Sequence, residues 1–473
     1  MFVVLLFPLS MLAQTPQAEQ WDLVRCVDFA FKNNISVRQG DLQSRFSSLT
    51  FNQSKAERWP SLNVGGNATY NWGRSDDPNT GVRVGASLFT TQLTMQSQVN
   101  LFNWFSQKNT TEANRLNWEA DKEQTNKLKN DVALNVAAAY LQILLAKEQV
   151  RIAELQVSQT ESQLENTRKR VDAGVLPELN AAELEAQLAR DSSSLITAES
   201  TVQQSILLMK ALLNLDAATP FDVVTPSIDK IPIDPIAELQ PENVYALAMA
   251  NMPQQKVNSL RIQSAQKSIA AAKGRLYPTL SAFGALSTAS NDIKTPVTSG
   301  TIPTTTNFFV NVNGVDYNVF APTPVIVGQK INPVGSQYTD NFGQALGVSL
   351  NVPIFNGRSA RSAWDRTKLD MKMLELQKEQ SDMQLKQDIY TAYNDAMTSL
   401  EQFNANKKTV ETARKAYDYA QKRYDANLLS IYDLVNSRNS FRTALVQVSY
   451  AQYDYVFKMK VLEFYKGQGI KLQ

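Results

Sequence analysis

The sequence predicts a mainly α-helical chain of the α+β class, built from a duplicated unit in which long antiparallel helical hairpins accompany short strands. Three observations carry this. First, landmarks recur at long range. Arg170-Val171-Asp172-Ala173-Gly174-Val175-Leu176 matches Arg423-Tyr424-Asp425-Ala426-Asn427-Leu428-Leu429, 253 positions on, and Arg58-Trp59-Pro60-Ser61-Leu62 matches Leu276-Tyr277-Pro278-Thr279-Leu280, 218 positions on. The two spacings differ by about 35 residues, so the second copy carries an insertion of that size. Second, neither proline nor glycine occurs from Phe105 to Ala173 or from Arg358 to Lys466, so nothing interrupts a helix in either stretch. Third, the segments before these stretches alternate apolar and polar residues with period two.

Taking the elements in order, Met1 to Ala13 is an apolar run too short to span a bilayer, followed by the polar stretch Gln14 to Glu19. It reads as the core of a secretory signal cut after Ala13, although no Lys or Arg precedes it. Residues 14–213 then form the first repeat, 214–240 a linker rich in Pro, Asp and Ile, and 241–473 the second repeat. Cys26 is too far from the cut to be a lipidation site, and a free, buried thiol is expected.

Helices near Asp22–Arg58 and Pro241–Leu276 open the repeats, and Pro60 and Pro278 end them and start the strands. In the first strand Leu62, Val64, Gly66, Ala68, Tyr70 and Trp72 face one way and Asn63, Gly65, Asn67, Thr69 and Asn71 the other. The second sets Leu93, Met95, Ser97, Val99 and Leu101 against Thr94, Gln96, Gln98 and Asn100, with Trp104 and Phe105 beyond it, as suits a bilayer interface. In the second copy Leu346, Val348, Leu350, Val352 and Ile354 alternate well. Leu280–Ser287 alternates poorly, because Phe283 falls on the wrong parity. The good runs are about 9 to 11 residues, the length of a strand crossing a bilayer at a tilt. About Asn291 to Asp340, rich in Thr, Pro, Val and Asn, is expected to be a long external loop, larger than its counterpart at about Gly73–Ser87.

No other segment holds the roughly 18 to 20 continuous apolar residues that a membrane helix needs. Four strands cannot close a barrel, and an open edge in lipid leaves backbone groups unpaired at several kcal/mol each. Three copies contributing four strands each to a shared 12-stranded transmembrane β-barrel is the simplest closure.

The outgoing helices carry heptad seams. Val136, Ala139, Ile143, Ala146, Val150, Ala153, Val157, Leu164 and Val171 define the first, and Leu385, Ile389, Ala392, Ala396, Ser399, Phe403, Val410, Ala413, Tyr417, Ala420 and Tyr424 the second, in the same register. At 1.5 Å per residue, about 68 residues make a rod of roughly 100 Å. Both rods end at a turn where Gly174 and Asn427 stand in equivalent places, as expected of a left-handed helix-closing residue. Return helices then run from about Glu178 to Leu213 and from about Ile431 to Lys466.

Composition limits the chemistry. Lys plus Arg number 47 against 45 Asp plus Glu, a net charge of +2, which excludes the electrostatic footprint of a nucleic-acid binder. With no histidine and one cysteine, imidazole catalysis, CxxC motifs and thiolate or imidazole zinc sites are excluded together. No enzyme, metal site or cofactor is expected.

The chain resembles the outer membrane efflux proteins, the trimeric channel-tunnels of the TolC type. The resemblance rests on the duplicated helix-strand-strand-helix-turn-helix order, on the strand entries Pro60-Ser61-Leu62 and Pro278-Thr279-Leu280, and on Val352-Pro353-Ile354-Phe355-Asn356-Gly357. It rests further on Arg423 to Leu434, close to the pattern RYxxGxxSxxDLL with Asn427 in place of its glycine and Val435 in place of its last leucine. It implies a homotrimer in the outer membrane of a Gram-negative bacterium, with helical hairpins forming an α-barrel tunnel through the periplasm. The tunnel would meet a periplasmic adaptor (membrane fusion) protein and an inner-membrane pump of RND or ABC type, exporting drugs, other toxic compounds or secreted substrates. It also implies a constriction of carboxylates near the second hairpin turn, for which Asp433, Glu183 and Glu178 are the candidates. The tips Gly174, Val175, Leu176, Asn427, Leu428, Leu429 and Ser430 are the candidate adaptor contacts. From the residues alone, a soluble or surface coiled-coil scaffold stays open as the alternative.

Overall fold

The computed structural model describes residues 20–76, 83–225, 235–426 and 428–467. The expected signal segment and Asn427 lie outside the described residues. The order is β1 (Gln20–Trp21), α1 (Leu23–Asn33), α2 (Ile35–Ala56), β2 (Ser61–Asp76), β3 (Arg83–Phe102), α3 (Ser106–Asp172), α4 (Glu178–Leu213), β4 (Asp222–Val223), a 3₁₀ turn (Ile236–Glu238), α5 (Pro241–Asn251), α6 (Pro253–Gly274), β5 (Thr279–Asn291), β6 (Lys294–Val312), β7 (Val315–Ile331), α7 (Val334–Asp340), β8 (Gly343–Asn351), α8 (Ser359–Asp425) and α9 (Ile431–Tyr465). Two compact units result: one from the described parts of Met1–Phe51, Ala113–Gln266 and Lys368–Gln473, the other from those of Asn52–Glu112 and Lys267–Thr367.

The helical duplication is strict in register. Helices α3 and α8 are each 67 residues long, and both ends of α8 lie 253 positions beyond those of α3. Each is entered through two residues in the left-handed region, Trp104 (φ 52°) and Phe105 (φ 58°) before α3, Gly357 (φ 61°) and Arg358 (φ 61°) before α8. Such angles are rare for bulky side chains and are held here by the surrounding structure. Each opening helix expected as one piece is two. The breaks fall at Asn34 and Met252, 218 positions apart, both with extended backbone. At Asn34 the side chain accepts the Ser36 amide at 2.9 Å and donates to the Leu212 carbonyl at 2.8 Å. Met252 precedes Pro253, which disfavours the helical region for its neighbour.

In the first unit the heptad positions Val136, Ala139, Ile143 and Ala146 are buried, as are Ile389, Ala396 and Ser399 in the second copy. One core gathers Leu23, Cys26 and Ala30 of α1 against α3 and the end of α4; a second gathers Val244 and Ala248 of α5 against α8 and α9. The linker is fastened to α3. Strand β4 pairs in parallel with β1. Lys147 of α3 meets Asp222 Oδ1 at 2.6 Å, and the Tyr140 hydroxyl donates to the Val224 carbonyl at 2.6 Å. Cys26 is free and buried, as expected, and burial pushes its thiol up to about 12.

The second unit holds a four-stranded antiparallel sheet of order β2-β3-β5-β8. Its strands include runs of 16, 20 and 13 residues, longer than the alternation alone suggested, and only β8, with nine, keeps the expected length. Of the stretch expected as a loop at Gly73–Ser87, the described residues belong to β2 and β3. The region from 291 to 340 is likewise no open loop: β6 and β7 form a long hairpin, and α7 follows. Helix α7 is tied to the sheet, Tyr338 Oη lying 2.7 Å from Thr91 Oγ1 and Gln337 Nε2 donating to the Asn291 carbonyl at 2.8 Å.

Candidate functional site

The register of the sheet determines its two faces. Val64 lies opposite Met95, Met95 opposite Leu286, Gly66 opposite Leu93, and Ala282 opposite Val348. Cross-strand partners share a face, so Leu62, Val64, Tyr70, Trp72, Phe89, Leu93, Met95, Leu280, Leu286, Leu346, Val348 and Leu350 form one apolar face across all four strands. This face is open: Leu346 is 90% exposed and Val64 70%. The opposite face is lined by Asn63, Asn67, Thr69, Gln92, Thr94, Gln96 and Gln98. Phe283, the residue of discordant parity, sits on this polar face opposite Gly347, where a Cβ would come within 2.7 Å of its ring. The missing side chain at Gly347 thus makes room for an aromatic inside a polar surface. At one end of the strands Phe102, Trp104, Phe105 and Tyr277 form an aromatic cluster, with Trp104 and Tyr277 ring centres 4.8 Å apart. An apolar face with aromatics at one end, backed by a polar face, suits a sheet set between lipid and water.

The hairpin tips belong to the first unit. After α3, Gly174 takes φ 73° and the Val175 amide bonds to the Arg170 carbonyl at 2.8 Å. After α8, the Leu428 amide bonds to the Arg423 carbonyl at the same 2.8 Å, 253 positions on. Both rods therefore close with the same six-to-one bond. Gly174, Val175, Leu428 and Ser430 are exposed, whereas Leu176 and Leu429 are half-buried. Two exposed apolar tip residues escaped the sequence reading, Leu179 and Tyr432.

Of the three acids, Asp433 and Glu178 are exposed in the first turns of α9 and α4, and Glu183 is half-buried. Asp433 is engaged locally. Ser430 caps α9, its hydroxyl accepting the Asp433 amide at 3.1 Å and donating to Asp433 Oδ2 at 2.7 Å. Among the described residues no hydrogen bond or ion pair joins the three acids to one another. Their supports do meet: Leu184, next to Glu183, packs with Ile431, Leu434 and Val435 around Tyr424.

A deeper feature holds these hairpins together and was not foreseen. Asp191 of α4 and Arg438 of α9 are each 1% exposed. Asp191 Oδ1 accepts from Arg442 Nη1 at 3.1 Å and Gln187 Nε2 at 2.8 Å; Oδ2 accepts from Thr160 Oγ1 of α3 at 2.6 Å and lies 3.8 Å from Arg438 Nη2. Arg438 Nη1 donates to Gln163 of α3 at 3.2 Å. Burial lowers the affinity of Arg438 for its proton, and the Asp191 carboxylate opposes that shift. Helices α3, α4 and α9 are thus clasped by a buried charge cluster.

An open sheet with one bilayer-suited face, joined in the same chain to paired 67-residue helices ending in exposed tips, defines an outer-membrane channel of the helical-tunnel class. The chain belongs to the outer membrane efflux protein family, whose sequence model matches residues 27–215 and 244–467. It is 22% identical over 398 residues to the probable outer membrane lipoprotein SilC of Salmonella typhimurium, covering 84% of this chain and 73% of that protein. To outer membrane protein TolC of Escherichia coli K12 it is 21% identical, covering 95% and 82%. A crystal structure of CusC, from work on its folding and transmembrane channel formation, superposes with a TM-score of 0.75 over 97% of this chain and 96% of that one, at 16% identity. The chain is therefore an export channel of the Gram-negative outer membrane, and the coiled-coil scaffold alternative is set aside.

Proposed function

We propose that three copies close their sheets into one twelve-stranded barrel and align their hairpins as a continuous periplasmic tunnel. The observation that carries this is the four-stranded sheet whose outer members, β2 and β8, each have one neighbour among the described residues. In a bilayer those edges require partners, because backbone groups there cannot turn to water. With the apolar face toward lipid, Asn63, Gln92, Gln96 and their neighbours line a wet lumen. The repeats 14–213 and 241–473, joined by 214–240, give each copy two hairpins and the tunnel six.

Substrates are small toxic molecules, drugs among them, or secreted substrates handed over by an inner-membrane pump of RND or ABC type through a periplasmic adaptor. Val175, Leu176, Leu428, Leu429 and Ser430, with Gly174 and Asn427, form the adaptor surface, and the exposed Leu179 and Tyr432 extend it. Asp433, Glu183 and Glu178, each present three times, surround the closed periplasmic end. Like charges collected in a narrow mouth favour cations and bind divalent ions. Single-channel recording on Asp433→Ala tests the gate: cation selectivity and divalent block should both weaken, and unchanged values for both would remove Asp433 from the pore.

A further inference from the structure

The β6–β7 hairpin is an unusual insertion. Residues 294–331 contain three charged side chains, Lys294, Asp316 and Lys330, and the two lysines lie at its root. Its tip is pre-formed. Asn313 (φ 51°) and Gly314 (φ 83°) make the two-residue turn with both central residues left-handed, whose twist matches that of paired strands. Asn311 reinforces it, accepting the Gly314 amide at 3.1 Å and donating to Asp316 Oδ1 at 2.5 Å.

In the distal half Val312 pairs with Val315 and Val310 with Tyr317, and period two adds Phe308 and Val319 to the same face. The other face carries Asn311, Asp316 and Asn318 together with Phe309 and Phe320. One side is therefore wholly apolar and the other mixed. The apolar side is left uncovered by the described residues: Phe308 is 75% exposed and Tyr317 58%. Its six side chains leave on the order of 500 Å² of apolar surface open, the size of the largest patch on an ordinary soluble monomer, which is often functional. A two-stranded ribbon on its own is also marginally stable in water.

We propose that the occupant is the same face of the neighbouring copies, so that three ribbons pack together across the channel mouth. This rests on the three-copy reading above. Two arguments select a second copy. Twelve strands about 4.8 Å apart and tilted about 40° make a ring of roughly 12 Å radius, whereas β6 alone spans about 60 Å, so ribbons rising from one rim share the space over the axis. The face also bears no charge, so three identical copies approach it without repulsion, while the lysines stay at the root.

The test is disulfide trapping in full-length protein purified from outer membranes, which is clean because the one native cysteine, Cys26, is buried. Val312→Cys and Tyr317→Cys place a thiol on the apolar face, and Asn318→Cys is the control on the other. Oxidation should convert most of the monomer band of at least one apolar-face variant to covalent dimer and leave Asn318→Cys largely monomeric. Equal trapping on both faces, or none on either, overturns the proposal. So does quenching of a fluorophore at Tyr317→Cys by brominated lipid, which would put the ribbon in the outer leaflet. Native mass spectrometry of the same samples reads the copy number separately, so a failure of the trimer is distinguished from a failure of the cap.

Discussion

Asp191→Ala removes the carboxylate that Arg438, Arg442, Thr160 and Gln187 all face. Arg438 would be left 1% exposed, with its Nε and Nη2 already without hydrogen-bond partners and its charge now uncompensated. Breaking a buried pair from one side costs about 3–5 kcal/mol, and the lost hydrogen bonds from Thr160 and Gln187 fall within that figure because the cluster acts as a unit. At about 1.4 kcal/mol per decade this is roughly two to four orders of magnitude in local opening. Amide hydrogen exchange reads it directly: the segments of α4 around 184–191 and of α9 around 435–442 should exchange faster by that factor, while the β-sheet keeps its protection. The controls separate charge from packing. Asp191→Asn keeps the shape and should cost less, about 1.5–3 kcal/mol, the range for hydrogen bonds to charged groups. The double variant D191L/R438M replaces the buried pair by apolar groups and should be clearly less damaged than Asp191→Ala, with the remaining loss belonging to the unpaired Gln187 and Arg442. If Asp191→Ala shifts exchange by less than tenfold, or the double variant is as damaged as the single, the clasp does not hold the hairpins.

Three further predictions follow from local geometry. Ser430→Ala deletes the cap of α9 and should destabilise its first turn by about 1 kcal/mol, seen as faster exchange at Asp433 with no change beyond Arg438; equal protection at Asp433 would contradict the cap. Gly347→Val drives a side chain into the Phe283 ring, which a Cβ alone would meet at 2.7 Å. The yield of assembled channel in outer membranes should fall and recover with F283A/G347V, and a normal yield from the single variant would refute the paired fit. For Cys26, the unfolded thiol titrates near 9.0 whereas the folded one is held to about 12. Above pH 9 the unfolded state therefore binds fewer protons, and stability falls as pH rises from 9 toward 12. Cys26→Ala should flatten that slope in urea unfolding at pH 8 and pH 10, and parallel slopes for the two proteins would count against it.

How much of this was legible depends on the distance over which each feature is written. The rods, their turns and the return helices are local, encoded by uninterrupted helix-formers and by Gly174, and the structure follows them to within a residue or two at most ends. The sheet faces were legible wherever alternation was clean. They failed at β5 because Phe283 is explained only by Gly347 across the strand. The β6–β7 ribbon hid behind Pro296, Gly300, Pro303, Pro322 and Pro324, which read as loop. A two-stranded ribbon tolerates them because each of its strands has an outer edge that needs no donor, and Pro303 lies directly opposite Pro322. The clasp was invisible: Asp191 looks like any acid on a polar helix, and its partners Arg438 and Arg442 stand 247 and 251 positions away.

On the reading proposed above, one chain carries a third of a barrel. Native mass spectrometry of protein extracted by detergent from the outer-membrane fraction decides between three chains and one. Particles of three chains that conduct ions when added to a planar bilayer are expected. A single chain that stays dispersed in plain buffer without detergent, and passes no current, would contradict that reading.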